Sequence, residues 1–521
     1  MIIININENK LFIWKKKKID KIFKKSRKYI SKLGIIIILV AGTSNFLSCS
    51  MSLLNKTPEF ICVNKTNSSH KIEKCEPKYF CNLTNEINYT INKKDSIDNF
   101  ALKFNLYCKR ESHIRQFQSA YYLGAMIGSF IFAPIADSIG RKKTFNFLVL
   151  LNLFSMINLI ITFHEYHLLI IFFISGTLNY TKYLCNVIVS EFSGGKNVGF
   201  AISLANSMFP ILGMLSGVYF IFINKLLYIL LFVTILVILI FLLSMIYMVE
   251  SPKWLITQKK YKEVQEALSF IAKINDAEYE LESLISNENE DEIERKTENL
   301  VINEVKDSNL EIEKNENEKE KAKNAFYKYI EVLLMKSQQK KLLIMCFLAF
   351  TFSISYYGVL LGINKITEQT FYYGFFMNFI GEVISLLSSG IISDCLGRKI
   401  VMIISSFLAG TLFILYYILR IIFKDKIINY SGIFVGIISF CISAGYNIQG
   451  ILSNEIFPTN IKSTCNGLIN IIGKLASVIV PIVIYFAENY ILIIFGGFLL
   501  FGGFCAFIVD DKEKENEELV K

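Results

Sequence analysis

Histidine is nearly absent: four occur in 521 residues. His70 and His113 fall in one polar loop, and His164 and His167 flank an apolar run. No Cys/His spacing suits zinc, no nucleophile stands with a base, and no Walker loop occurs. An enzyme, a metal or cofactor site and ATP-driven pumping by this chain are therefore not expected. Charge is scarce too. Asp, Glu, Lys and Arg make up 19% of the chain, against about a quarter in a soluble domain. A hydrophobic content of 53% excludes a disordered chain. The net charge of +10 does not describe a nucleic-acid binder, because the basic residues gather at the ends of apolar runs. The period-two alternation of β-barrel strands is also missing.

What is present is a series of long apolar runs. A helix needs roughly 20 apolar residues to cross the hydrocarbon core. Stretches free of Asp, Glu, Lys and Arg meet that length at Leu33–Leu54, Phe117–Ala136, Thr144–Phe163, Asn197–Asn224 and Leu226–Val249. The second half adds Leu342–Asn364, Ile400–Leu419, Ile427–Asn454 and Asn489–Val509. Three more runs carry one charge each: Leu168–Ser190 holds Lys182, Thr370–Ser393 holds Glu382, and Ser463–Ala487 holds Lys474. The expectation is an all-α integral membrane protein of twelve helices, in contact with a lipid bilayer.

Basic residues set the orientation. Between Lys10 and Lys32, just before the first run, Lys15–Lys18, Lys21, Lys24, Lys25, Arg27 and Lys28 stand against one acid, Asp20. Even-numbered turns carry Arg141, Lys142 and Lys143, then Lys196, Arg398, Lys399 and Lys462. Both termini are thus expected to be cytoplasmic. The first run is longer than a signal-peptide core and lacks a small-residue cleavage site. The chain divides into a basic N-terminus (1–32), six spans (33–250), a cytoplasmic linker (251–341), six more spans (342–509) and a tail (510–521).

Two loops are large. Residues 55–115, on the expected outside, hold Cys62, Cys75, Cys81 and Cys108, which can pair in three ways. They also hold sequons at Asn55, Asn64, Asn67, Asn82 and Asn88, the mark of a glycosylated surface. A further sequon at Asn179 sits inside a span and should be silent. In the linker, Trp254, Leu255, Val264, Leu268 and Ile271 recur at helical spacing. From Asp276 to Lys321 there are 17 acids against 6 bases, a solvated composition.

The halves share a signature. Span 2 runs into Asp137-Ser-Ile-Gly140-Arg141-Lys142, and span 8 into Asp394-Cys-Leu-Gly397-Arg398-Lys399. Span 4 ends at Glu191 and span 10 at Glu455. Glycine allows a tight two-helix turn, and Asp and Arg can pair across it, locking one packing of the bundle.

This repeat resembles the major facilitator superfamily, whose Gly-x-x-x-Asp-x-x-Gly-Arg-Lys turn recurs in the two halves; Ala133 stands where the first glycine is usual. The resemblance implies two six-helix pseudo-repeats. Glu250-Ser-Pro-Lys-Trp-Leu255 and Glu455-Ile-Phe-Pro-Thr459 are similar to segments of sugar porters and organic cation/anion transporters. The long Cys-bearing first loop and Tyr356-Tyr357-Gly358 resemble the second group. That group's span-4 Arg near Phe172–Gly176 is absent, and Asp510-Asp511-Lys512 replaces its Pro-Glu-Thr ending.

Ionisable groups inside spans mark substrate or ion paths. Glu382 lies ~18 Å from the turn at Asp394, near mid-bilayer, and Lys474 is close to the middle of its own span. Lys182 is nearer the cytoplasm and as readily snorkels as faces a cavity. In the organic ion transporters an acid in span 8 matches Glu382. The position of Lys474 carries a base in the anion branch, which implies an anionic or zwitterionic substrate. Tyr356, Tyr357 and Tyr446 are candidate aromatic contacts. The expectation is a plasma-membrane secondary transporter of small organic ions, working as a monomer with a coupling ion or counter-substrate. A neutral-solute porter, with Lys474 paired to Glu382, and a non-transporting receptor of the same fold are the alternatives.

Overall fold

The computed structural model describes residues 27–275 and 336–509, apart from 55, 57, 65–70, 76–80, 82–86, 93–95, 109–110, 193–197, 259, 368–370, 429, 458–460 and 488–489. The acidic stretch of the linker, the tail, most of the basic N-terminus and the sequon residues Asn55, Asn67 and Asn82 lie outside the described residues.

Among the described residues, eleven helices are long and apolar enough to cross a membrane. A further apolar helix, Ile491–Ala506, has 16 residues. The first span is two pieces, Arg27–Thr43 and Phe46–Leu54. Spans 2 and 3 are Glu111–Ile139 and Arg141–Ile161. Span 4 is again two pieces, Glu165–Thr177 and Tyr180–Phe192. Spans 5 and 6 are Val198–Phe222 and Leu226–Tyr247. Spans 7 to 12 are Lys336–Thr367, Phe371–Leu396, Arg398–Ile428, Ser431–Ile456, Lys462–Phe486 and Ile491–Ala506.

The two signature turns fold as their glycines dictate. Gly140 has φ +119° and Gly397 φ +93°, conformations that residues with a Cβ rarely adopt. Each lets a helix stop and its successor start within one residue. The halves then meet along two seams, span 2 against span 11 and span 5 against span 8. Within the first half, Gly176 of span 4 rests on the backbone of Tyr121 in span 2, the close approach that small residues permit.

The breaks in spans 1 and 4 face each other. Asn179 Nδ2 donates to Asn45 Oδ1 at 2.6 Å and reaches the Tyr121 hydroxyl at 3.4 Å. Asn179 is therefore a buried cross-helix bridge, not a surface sequon. Apolar lipid cannot satisfy the backbone groups that a broken helix frees, so polar side chains must do so. Asn45 serves both needs, donating from Nδ2 to Ala41 O at 2.9 Å.

The loop after span 1 forms a three-stranded antiparallel sheet in the order β2-β1-β3, with β1 Phe60–Asn64, β2 Lys71–Cys75 and β3 Ile87–Ile91. Asn64 and Asn88 fall on β1 and β3. Cys81 and Cys108 form a disulfide, and Cys62 is disulfide-bonded as well. Asn99 ties the loop to the bundle by donating to Leu53 O and Lys56 O, both at 2.9 Å.

At the opposite face, the chain after span 6 folds into helices Pro252–Thr257 and Tyr261–Ile274. Trp254, Leu255, Val264 and Ile271 are buried, so the apolar stripe expected from spacing covers the end of the bundle. Asn275 at its end accepts the Lys28 and Tyr29 N–H groups at 3.0 and 3.3 Å. It caps the opening turn of span 1, where helical N–H groups lack partners.

Candidate substrate cavity

A polar cavity of about 740 Å³, part of it open to solvent, lies between the two halves. Lys182, Tyr183 and Asn186 of span 4 and Asn206 of span 5 face Tyr356, Glu382, Tyr446 and Asn447 of the second half. Every lining residue falls in the middle of its span or toward the end bearing the signature turns, here called the basic face. On the sheet-bearing face the halves touch instead. Ser52 Oγ donates to Leu360 O at 3.2 Å, and Lys56 Nζ lies 4.7 Å from the Tyr372 ring centroid.

Glu382 is 4% exposed. Its Oε1 accepts the Tyr356 hydroxyl at 2.5 Å, while Oε2 is buried without a hydrogen-bond partner. Tyr356 stacks on Tyr446 at 5.5 Å, and the Tyr446 and Tyr183 hydroxyls bridge the halves at 3.2 Å. Asn447 adds further bridges, to Ser203 at 2.7 Å and to Asn206 at 3.2 Å.

Lys474 sits deeper. It is 2% exposed, and its Nζ donates to the Tyr357 hydroxyl at 2.6 Å. The same ammonium lies 4.8, 5.8 and 5.9 Å from the ring centroids of Tyr357, Tyr183 and Tyr122. Gly473 lines the cavity, but Lys474 itself is screened by these rings. Among the described residues no carboxylate reaches ion-pair distance of it. The cation–π contacts take the place of a counter-ion. The pairing of Lys474 with Glu382 entertained from sequence is thus not formed.

The lysine that lines the cavity is Lys182. Its Nζ lies 5.2 Å from the Phe209 ring centroid and interacts electrostatically with both Glu382 and Lys474. Sequence left it between snorkelling and the cavity; the half-helix beginning at Tyr180 turns it inward. Its signal was a lone charge inside an apolar span. Asn186 and Asn206 gave no such signal, because the chain is rich in Asn throughout.

The candidate gating residues assemble into two clusters on the basic face. In the first half, Arg141 Nη2 lies 2.9 Å from Asp137 Oδ1 and 3.2 Å from Glu191 Oε1, all deeply buried. Glu250 accepts the Arg141 and Lys142 N–H groups at 2.8 and 3.1 Å, capping span 3. Burial pushes its carboxyl above the ordinary value, against the pull of those N–H groups. Trp254 Nε1 donates to Asp137 O at 2.9 Å. In the second half Arg398 pairs with Asp394 at 2.5 Å and with Glu455 at 2.8 Å. That cluster is more open, with Glu455 38% exposed against 1% for Glu191.

The sequence profile of the Major Facilitator Superfamily matches residues 110–481. The chain belongs to this family. It is 26% identical over 372 residues to organic cation/carnitine transporter 6 of Arabidopsis thaliana, covering 70% of this chain and 64% of that protein. The chain thus spans just under two thirds of that relative. It is 23% identical to human solute carrier family 22 member 13, covering 81% of this chain and 69% of that one. The superfamily fold is also seen in the xylose symporter XylE, with a TM-score of 0.62 at 12% identity over 94% of this chain and 96% of that one. The human organic anion transporter MFSD10 matches at a TM-score of 0.55 and 12% identity, over 92% and 99% of the two chains.

Proposed function

We propose that this superfamily member is a secondary transporter that moves small organic anions or zwitterions by alternating access. The observation that carries the charge preference is the count of charges around the cavity. Two basic side chains, Lys182 on its wall and Lys474 behind it, stand against one carboxyl group, Glu382. An excess positive charge in a low-dielectric site repels a bare cation by several kcal/mol. The relatives named for organic cations and carnitine share the broader class of small organic ions.

In this reading the basic face is cytoplasmic, as the positive-inside bias requires, and the loop sheet with its sequons at Asn64 and Asn88 is extracellular. The plasma membrane is the site of action. Tyr356 and Tyr446 pack against the organic part of the substrate, and Tyr357 and Tyr122 hold Lys474 in place. The two halves rock about the cavity. When the cytoplasmic side opens, the bridges Tyr183–Tyr446 and Asn206–Asn447 must break, and the contact of Ser52 with Leu360 holds the outer side shut.

A neutral-solute porter is the second reading, favoured by the amides of Asn186, Asn206, Asn447 and Asn470 on the cavity wall. Uptake of a labelled organic anion, competed separately by anions, cations and sugars, tests the choice. Competition by anions and zwitterions alone supports the proposal. Competition by sugars alone supports the porter.

A further inference from the structure

We propose that the preferred substrate is a zwitterion whose positive end is an ammonium bearing N–H bonds, as in an amino acid. Lys182 would hold its carboxylate and Glu382 its ammonium. The inference rests on the transport reading and narrows its substrate class.

Lys182 and Glu382 line the cavity from opposite halves, span 4 and span 8. They interact electrostatically, yet among the described residues they form no ion pair within 4.0 Å. Phe209 packs near both sides of this gap. Its ring centroid lies 5.2 Å from the Lys182 ammonium and 6.4 Å from the ring of Tyr356, which donates to Glu382. Each charge therefore keeps an unfilled side. Lys182 Nζ has no hydrogen-bond partner among the described residues, and Glu382 Oε2 is buried without one.

A buried charge left without a partner costs free energy that a fitting ligand recovers. A carboxylate would satisfy Lys182, but a plain anion leaves Glu382 Oε2 as it is. A plain amine fills Glu382 and leaves Lys182. A quaternary ammonium carries no N–H to donate, and it is best held by an open aromatic cage. Among the described residues no open cage stands at Glu382, because Tyr356 and Tyr446 stack on one another with an interplanar angle of 17°. Lys474 does not compete for the carboxylate, being committed to Tyr357. Only a molecule with a carboxylate and an N–H-bearing ammonium fills both vacancies. Because the two charges belong to different halves, such a ligand also ties the halves together when it binds.

The test uses the purified full chain in detergent and two matched series. One is γ-aminobutyrate, γ-butyrobetaine, butanoate and propylamine; the other is built in the same way on ε-aminocaproate. Binding is read by isothermal calorimetry and by thermal stabilisation. We expect one of the two amino acids to bind at least about tenfold more tightly than its trimethylated, deaminated and decarboxylated counterparts, the worth of one charge-assisted hydrogen bond. Glu382→Gln should erase the preference over the plain anion, and Lys182→Gln the preference over the plain amine. Lys182→Arg, which keeps the charge, should retain both. A betaine or a plain anion that binds as tightly as its amino acid overturns the inference and leaves the transport reading standing. A preference that survives both Gln variants also overturns it. Binding of none of the eight compounds overturns the inference together with the reading beneath it.

Discussion

Asp137 of span 2 and Thr464 of span 11 are joined across the two halves: Asp137 Oδ2 accepts the Thr464 N–H at 2.9 Å and its hydroxyl at 3.0 Å. Thr464 lies in the first turn of Lys462–Phe486, where unpaired N–H groups and the helix dipole favour an anion. The same carboxylate pairs through Oδ1 with Arg141. One side chain thus links the signature turn of the first half to the start of a helix in the second. In the proposed transport cycle it acts as a latch that closes the basic face and releases for that face to open.

Because this latch is buried, its loss should cost more than loss of its counterpart. Asp137→Ala leaves Arg141 buried with a reduced set of partners, and breaking such a pair costs about 3–5 kcal/mol. Asp394 and Arg398 are 31% and 16% exposed, so Asp394→Ala should cost about 1 kcal/mol or less. Thermal unfolding of the purified variants checks the order. Equal losses would show that the two turns do not differ in the way burial implies.

The Glu250 cap predicts a pH dependence. Burial raises its carboxyl above the ordinary value of 4.5, so over the window from 4.5 up to the raised value the folded chain binds more protons than the unfolded one. Stability contributed by Glu250 is then present below that window and lost as pH rises through it. Glu250→Gln should remove this slope. Melting temperatures of wild type and variant between about pH 4 and pH 7 decide it; parallel curves would contradict the assignment.

The disulfide Cys81–Cys108 closes a separation of 27 residues. Constraint of that loop in the unfolded chain is worth about 3–4 kcal/mol. Cys81→Ser with Cys108→Ser should therefore raise the rate of protease cleavage within residues 55–115, while uptake by the intact bundle is retained. Unchanged cleavage would mean that the sheet and Asn99 hold the loop unaided.

How far the sequence revealed the fold depended on what each feature costs a membrane chain. Apolar length marks a span because lipid excludes charge, and the positions of the long helices follow it closely. The paired turns were legible because glycine at positive φ has few substitutes. The breaks at Ser44–Asn45 and Leu178–Asn179 were not, since polar residues inside an apolar run carry no sign of which partner will satisfy them. Glu382 reached the cavity as its solitary charge suggested. Lys474 did not reach the cavity wall, because three tyrosines from spans 2, 4 and 7 enclose its ammonium, and aromatics are too common here for their grouping to show in one dimension. Lys182 took the exposed place instead.

That exchange of roles bears on the two lysines separately. Lys474→Met removes the ammonium but keeps an apolar filling among Tyr122, Tyr183 and Tyr357. It should lower uptake less than Lys182→Met, which removes a charge from the cavity wall itself. Initial uptake rates at matched surface expression give the comparison.

The most direct test of the charge reading is uptake in expressing oocytes of one labelled organic anion and one labelled organic cation. Wild type is run beside Lys182→Asp and Lys474→Asp. The account predicts anion uptake by wild type, lost in both variants, with no cation uptake by wild type. Cation uptake by wild type that survives both substitutions would contradict it, and would leave the two lysines as structural charges held by aromatic rings.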